Sequence, residues 1–309
     1  MTHRPLVSAV IPTRARAALV VRAVRTALNQ TYANLEVIVV IDGPDEETML
    51  ALSGLQQPRL RVITLPQSAG GASARNAGVE AAHGEWIAFL DDDDEWLPAK
   101  IENQLAAAQG SGNSEPIVSC RFTAQTNTGE HVWPLRLPED GESISDYLLV
   151  RNGVERTEGF IATPTILARR SLLRRVPFTD GLKRHQDWDW VLRATREPGV
   201  RVVFCPQALV ICNMRSANSV SRKSDWRFSQ EWIHKMAPVI SKRAHASFLT
   251  CHVAWQAAAE RDWQAFFPLL MEAAAGGGLR MSDVARYAGF WFTPQSLRQW
   301  ARSQKARTQ

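Results

Sequence analysis

The chain has 309 residues, 45% hydrophobic and 22% charged, which is the composition of an ordinary soluble globular protein with one large or two smaller cores. No apolar stretch approaches the length of a membrane span. Cys120, Cys205, Cys212 and Cys251 lack CxxC spacing and read as buried free thiols, not zinc ligands or disulfides. The net charge of +5 is uneven: residues 1–110 carry nine Lys and Arg against thirteen Asp and Glu, and residues 151–243 carry eighteen against eight. A basic second half suits nucleic acid, an anionic membrane face or a phosphorylated substrate. No nucleic-acid motif accompanies it, so a nucleic-acid partner is not expected.

The first 110 residues alternate between strand and helix. Residues 6–11 form an apolar run too short for a signal sequence and without a small-residue cleavage site, so they read as the first strand of a cytoplasmic protein. Residues 17–29 place Val20, Val24, Ala27 and Leu28 on one helical face. Residues 36–41 form a second strand that ends at Asp42-Gly43-Pro44, and residues 45–55 a helix. Residues 60–65 are a third strand. Gly70-Gly71 opens an alanine-rich helix over residues 72–82, residues 85–90 are a fourth strand, and residues 98–109 are again helical. Near-continuous apolar strands are expected of a parallel sheet covered on both faces, so the fold class is α/β, doubly wound.

Beyond Gly110 the pattern loosens. Residues 117–122 read as a strand, 123–142 as a polar excursion loop, 163–168 as a strand, 186–196 as a helix and 201–205 as a strand. From Trp226 onward the signals are helical, over residues 226–240, 244–260, 263–275 and 281–287, and residues 303–309 read as a frayed end.

Asp91, Asp92, Asp93 and Asp94 follow the fourth strand directly. Packed carboxylates repel one another and suit a hard divalent cation such as Mn²⁺ or Mg²⁺. In open α/β sheets, ligands bind beyond the carboxyl ends of the strands, so strand first and carboxylates after is the order of a metal–phosphate site. The competing reading is a solvated acidic turn capping the next helix, with Pro98 in its first turn.

Further motifs fall in register with this one. Ile11-Pro12-Thr13 ends the first strand, Asp42-Gly43 ends the second, and the segment from Gly70 to Gly78 contains Arg75 and Asn76. His185-Gln186-Asp187-Trp188-Asp189 comes later, and Asn213-Met214-Arg215-Ser216 later still. In this order and spacing the series resembles glycosyltransferase family 2, densely over the first 110 residues and thinly to about residue 222. The resemblance implies a GT-A-like mixed sheet, mainly parallel, with a catalytic domain over residues 1–222. Residues 1–110 would bind the nucleotide, residues 111–222 would face the acceptor, and residues 223–309 would form a C-terminal helical region.

The resemblance also assigns roles. Pro12 and Thr13 match the loop near the nucleotide, and Asp42 matches the acidic residue that accepts from the base. Arg75 matches a basic residue near the phosphates. The aspartates match the DxD-type motif, with Asp93 and Asp91 as metal ligands and Asp91 or Asp92 near the ribose. Asp187 matches the general base of inverting enzymes, with Gln186 in place of the usual glutamate. Arg215 matches an arginine that binds diphosphate, and the histidine that can complete the metal site is replaced near Ser216. Bland alternatives stand beside each: an Asp-Gly turn for Asp42, a surface helix arginine for Arg75, a surface ion pair for Arg215, helix capping for Asp94 and Glu95, capping or an arginine partner for Asp189, and helix–sheet packing for Asn76 and Gly78.

Together these readings imply an inverting, metal-dependent enzyme that moves a sugar from a nucleotide-sugar donor, UDP-linked by expectation, to a carbohydrate or lipid-linked acceptor in surface polysaccharide or glycoconjugate synthesis. The alternative is a non-catalytic nucleotide-sugar-binding module, suggested by Gln186 and the missing histidine. In the tail, Tyr287-Ala288-Gly289-Phe290-Trp291-Phe292 precedes Arg298, Arg302, Lys305 and Arg307. Aromatics beside cations suit peripheral contact with the inner membrane face. The competing reading has the rings packed inward.

Overall fold

The computed structural model describes residues 4–152, 158–215 and 225–293. They divide into two compact units: residues 1–137 with 161–216, and residues 138–160 with 217–309. Residues 138–160, which the sequence division placed in the acceptor-side half, therefore group with the C-terminal helices.

The first unit is built on a mixed, mostly parallel sheet. Strands β1 (Val7–Thr13), β2 (Leu35–Ile41), β3 (Leu60–Thr64) and β4 (Trp86–Phe89) lie in the order β3-β2-β1-β4, and all three pairings are parallel. Between them run helices α1 (Ala17–Leu28), α2 (Glu46–Ser53) and α3 (Gly71–Ala81). Val37, Ile38, Val39, Val40 and Ile41 are all fully buried, because helices cover both faces of these strands. The chain winds from β1 through β2 to β3 and then crosses back to β4 on the other side of β1. The order reverses there, and the crevice between the C-terminal ends of β1 and β4 is where such sheets bind ligands.

The sheet continues through β5 (Glu95–Trp96), β6 (Glu115–Thr126), β8 (Leu167–Arg169) and β9 (Val200–Asn213) in the order β4-β8-β6-β9-β5, with the strand β7 (Gly129–Trp133) paired to β6. Helices α4 (Lys100–Gly110), α6 (Arg170–Arg175) and α7 (Gln186–Ala194) complete this unit. The polar stretch after residue 122 is not a loop: β6 runs on to Thr126 and turns back as an antiparallel hairpin through Gly129 at φ +127°. Its outer positions, Thr123, Gln125 and Thr126, are polar, so a half-buried strand looked like loop in composition. β9 likewise extends to Asn213, well past Cys205.

The second unit is helical: α5 (Ile144–Leu149), α8 (Trp226–Met236), α9 (Lys242–Ser247), α10 (Ala254–Ala259), α11 (Phe266–Ala275) and α12 (Met281–Phe292). A π turn over Phe248–Val253 joins α9 to α10 in one continuous helical run. The aromatic segment of α12 does not present its rings together. Tyr287 and Trp291 are buried with Phe266, at ring-centroid distances of 5.2 and 5.4 Å, and Phe292 is exposed. The basic residues beyond Thr293 lie outside the described residues, as does the end at 303–309. No described helix is long and apolar enough to cross a membrane.

Close seating of α3 on the sheet depends on Gly78. A β-carbon there would stand 2.4 Å from Val10 Cγ1 and 3.2 Å from Val40 Cγ2, and both valines are fully buried. Gly78→Val should lower stability by about 1–3 kcal/mol through overpacking. Urea denaturation of the full chain measures it, and an unchanged midpoint would refute the tight fit.

Candidate active site

A tight turn follows β4, closed by a hydrogen bond from Asp94 N to Asp91 O of 3.1 Å. The carboxylates meet three partners: Asp91 one arginine, Asp92 and Asp93 a second, and Asp94 a backbone N–H. Asp91 pairs with Arg75 on α3. Buried Asp92 accepts from Thr13 Oγ1 at 2.8 Å and from Arg16 at 2.9 Å. Asp93 lies 3.3 Å from the same Arg16 guanidinium. Asp94, also buried, accepts from the backbone N–H of Asn213 at 2.8 Å. Asp94 and Glu95 therefore do not cap the next helix: α4 starts only at Lys100, and Glu95 sits in β5 opposite Ile211.

Burial raises the pKa of Asp92, and it raises that of Asp93 to about 6 with help from the charges of Asp91 and Asp92. Asp94 is held well above the usual carboxylate range by burial and by Asp91 and Asp93. Arg16 is the residue that sequence reasoning passed over. The signal was present in Thr13-Arg14-Ala15-Arg16, immediately past the switch-point strand, but a loop arginine reads as solvated charge.

Arg75 joins this turn to α7. It is 8% exposed, and one arm donates to Asp91 while the other donates to Gln186 Oε1 at 2.7 Å. A β-carbon on Gly71 would meet Arg75 Nη1 at 3.2 Å and Gln186 Oε1 at 3.6 Å, so a side chain at 71 would crowd this junction. Nearby, Asn76 forms two hydrogen bonds of 2.9 Å with the Phe178 backbone, and Ser73 donates to Asp180. Asn76 thus anchors the segment leading to α7 rather than merely packing.

Asp187 lies in the first turn of α7, where it accepts from the Trp188 N–H at 2.9 Å. Burial raises its pKa to about 6, with the charge of Asp91 adding to the rise and Arg75 opposing it. Asp189 points elsewhere, accepting from Arg193 at 2.9 Å and Thr179 at 2.7 Å. His185 precedes the helix at φ +61° and stacks on Trp188; burial pushes its pKa down to about 3, so it is neutral at physiological pH.

The other expected residues are spread more widely. Pro12 sits in β1 opposite Val40. Asp42 is buried at the end of β2, and its carboxylate accepts from Ala69 N–H, Gly70 N–H and Ser68 Oγ. It thereby shapes the loop into α3. Arg215 is exposed and donates through Nε to Thr126 O at 3.1 Å, and its backbone N–H donates to the side chain of Asn213, whose own N–H meets Asp94. Ser216 and the rest of that motif lie outside the described residues. The four cysteines are free and buried.

Among the described residues, the aspartates do not gather three ligand atoms within 4.8 Å of one another. The donor set still fits a hard cation. Mg²⁺ usually takes one or two carboxylates and fills its shell with water and substrate phosphate. Burial, and after it the charges of Asp91 and Asp92, raise the Asp93 pKa, and a divalent ion at this turn would offset the charge-repulsion part of that rise.

Residues 8–176 match the sequence model of Glycosyl transferase family 2, more than half of the chain. The chain belongs to this glycosyltransferase family. It is 29% identical over 248 residues to the amylovoran biosynthesis glycosyltransferase AmsB of Erwinia amylovora, covering 76% of this chain and 79% of AmsB. It is 39% identical over 82 residues to the Escherichia coli UDP-Glc:alpha-D-GlcNAc-diphosphoundecaprenol beta-1,3-glucosyltransferase WfaP, covering 26% of this chain and 33% of WfaP. Thus the chain spans most of AmsB but only a third of WfaP. S. aureus TarS 1-349 in complex with UDP-GlcNAc superposes with a TM-score of 0.66 at 17% identity, covering 95% of this chain and 92% of that one. The mannosyltransferase PcManGT from Pyrobaculum calidifontis, in complex with GDP-Man and Mn²⁺, gives 0.59 at 19% identity, covering 99% and 85%. The GT-A-like fold of this glycosyltransferase is thereby shown.

The raised pKa of Asp187 has a consequence for stability. The folded state favours the neutral acid, so that contribution is full below the unfolded carboxylate pKa of about 3.9 and is lost as pH rises through about 6. Asp187→Asn should therefore melt at a higher temperature than the parent at pH 7.5, with the gap closing toward pH 4. Calorimetry at the two pH values checks it; a lower melting temperature for the variant at pH 7.5 would contradict the sign.

Proposed function

We propose that this glycosyltransferase is inverting and metal-dependent, and that it transfers a sugar from a UDP-linked donor to an acceptor hydroxyl in the assembly of a surface polysaccharide or glycoconjugate. The observation that carries the reading is the joining of the β4 carboxylate turn and the Asp187 helix through one buried guanidinium, that of Arg75. A donor-side acidic cluster and a separate carboxylate with a pKa near neutrality are the two parts that inverting transfer needs.

In this reading the nucleotide-sugar enters the crevice beyond β1 and β4. Pro12 and Thr13 line the nucleotide side, Asp42 faces the base, and Asp91 or Asp92 faces the ribose. Asp93 and Asp91 would hold a divalent cation, Mn²⁺ or Mg²⁺, which would supply charge neutralisation at the diphosphate. Arg75 and Arg215 add guanidinium donors suited to phosphate oxygens. Asp187 accepts the proton of the acceptor hydroxyl. The hydroxyl oxygen then bonds to the anomeric carbon on the face opposite the leaving group, and the bond from that carbon to the diphosphate oxygen breaks with its electron pair. Gln186 accepts from Arg75 at the position where the family carries glutamate, which supports a working site over the alternative of a non-catalytic binding module.

The acceptor class follows from two supports. WfaP, as its name states, acts on alpha-D-GlcNAc-diphosphoundecaprenol. In the helical unit Trp263, Phe267 and Met271, four residues apart in turn, are 53%, 69% and 69% exposed, and the Phe292 ring lies 5.8 Å from Trp263, tilted by 49°. Phe267 and Met271 share one face of α11, and Trp263 sits in the short 3-10 turn that leads into it. An exposed apolar face on a basic protein fits a lipid-linked acceptor met at an anionic membrane surface.

Asp187→Asn should slow transfer by about 10²–10⁴-fold while leaving donor affinity nearly intact, as loss of a positioned base does. Parent activity should fall as pH drops below about 6, where Asp187 is protonated. Asp93→Ala should instead abolish Mn²⁺-dependent binding of UDP. Release of nucleoside diphosphate from a donor panel reads the first, and calorimetric titration the second. A folded Asp187→Asn with near-normal turnover would reject the base, and no release from any donor would favour the binding module.

Membrane contact is read by flotation with vesicles containing anionic phospholipid. The parent should float at low salt, and a Trp263→Ser, Phe267→Ser variant should not. A parent that stays at the bottom of the gradient at low salt would reject membrane contact.

A further inference from the structure

A second cluster of metal-ligating side chains lies in the helical unit and takes no part in the transfer chemistry. His234 is in the last turn of α8, His245 is in α9 and Glu272 is in α11. Each offers one donor atom, and the three atoms lie within 4.8 Å of one another. Among the described residues no other trio of His, Cys, Asp or Glu converges this way. His234 Nε2 already meets Glu272 Oε1, and the two imidazoles stack with centroids 6.0 Å apart at an interplanar angle of 21°. We infer that His234, His245 and Glu272 form a binding site for a borderline divalent cation of the Zn²⁺ class.

The ligand chemistry selects the ion. Two imidazoles and one carboxylate form a common zinc donor set, whereas the all-oxygen run after β4 suits Mg²⁺ or Mn²⁺. Zinc–nitrogen and zinc–oxygen bonds are about 2.0–2.2 Å, so a tetrahedral site needs ligand atoms closer to one another than 4.8 Å. Rotation of exposed His234 and half-buried Glu272 can supply that closure. Orientation is partly built in: Glu272 Oε2 accepts from Gln230 Nε2 at 2.7 Å, the kind of outer hydrogen bond that holds a ligating carboxylate in place. Beside His245 the helix ends in Gly276, where even a β-carbon would stand 3.5 Å from Nδ1, so the ring edge is not crowded. Three protein ligands leave a fourth position for water. Because the ligands come from three helices, one ion would clasp α8, α9 and α11 together, a structural role distinct from the carboxylate site of the first unit.

The test uses the full chain, stripped of metal and titrated with Zn²⁺ in the absence of nucleotide. Calorimetry reads the stoichiometry, and Co²⁺ substitution reads the geometry from its visible absorption. The expected result is one Zn²⁺ per chain that persists in Asp93→Ala and raises the melting temperature. It should be lost in His245→Ala and in His234→Ala, and weakened about 10–100-fold in Gln230→Ala, which removes only the outer hydrogen bond. His245→Gln, checked by circular dichroism, serves if the alanine variant does not fold. Zn²⁺ binding that survives loss of both histidines, or that disappears with Asp93→Ala alone, would overturn the site, as would the absence of any Zn²⁺ binding.

Discussion

The buried guanidinium of Arg75 is the contact on which the geometry of the first unit turns. It is anchored on α3, and its two arms reach the end of β4 and the start of α7. A charge removed from water is held by the partners its donors find; both terminal nitrogens of Arg75 are paired, while its buried Nε has no protein partner. Arg75 therefore constrains where Asp91 and Gln186 can sit, and through Gln186 it sets the first turn that carries Asp187. The rest of α3 supports the same junction. Gly78 lets the helix approach the sheet, Gly71 leaves room beside the guanidinium, and Asn76 and Ser73 hold the segment that leads into α7. Buried ion pairs of this kind contribute position more than stability, because desolvation offsets most of their attraction.

Around that junction the protein keeps carboxylates closer together than folding alone would favour. Asp92, Asp93, Asp94 and Asp187 all have raised pKa values, and burial is the largest cause in each case. Arg16 bridges Asp92 and Asp93, and Thr13 donates to Asp92, so the ends of β1 and β4 are stitched across the switch point. Such a site is stressed before a ligand arrives, and perturbed carboxylates of this kind cluster where chemistry is done.

The helical unit follows different physics. Its core is aromatic, with Phe266, Tyr287 and Trp291 packed against one another, and a buried Asp283 held by Arg243. That inward packing removes most of the α12 aromatics from solvent and leaves Trp263, Phe267 and Met271 as the exposed apolar face. Its two histidines and one glutamate come together only because three helices pack side by side.

The sequence alone determined the βα alternation of the first half, the strand that feeds the aspartates, and the helical character after Trp226. These are local: hydrophobic period, glycine placement and the length of apolar runs report them without any distant contact. It also separated Asp187 from Asp189, since two residues on a helix face different ways, and the structure pairs Asp189 with Arg193. Tertiary structure alone decided the rest. The end of β6 beyond Phe122 and the β7 hairpin looked like loop because their outer residues are polar, and only pairing of β6 with β7 and β9 makes them sheet. Asp94 looked like a helix cap and proved to be a buried acceptor for Asn213, a residue more than a hundred positions away. Arg16 showed locally only as a loop arginine past β1, and the His234–His245–Glu272 cluster carried no local signal at all. Their partners are brought in by chain winding and helix packing, and no period or spacing along the chain encodes a direction in space.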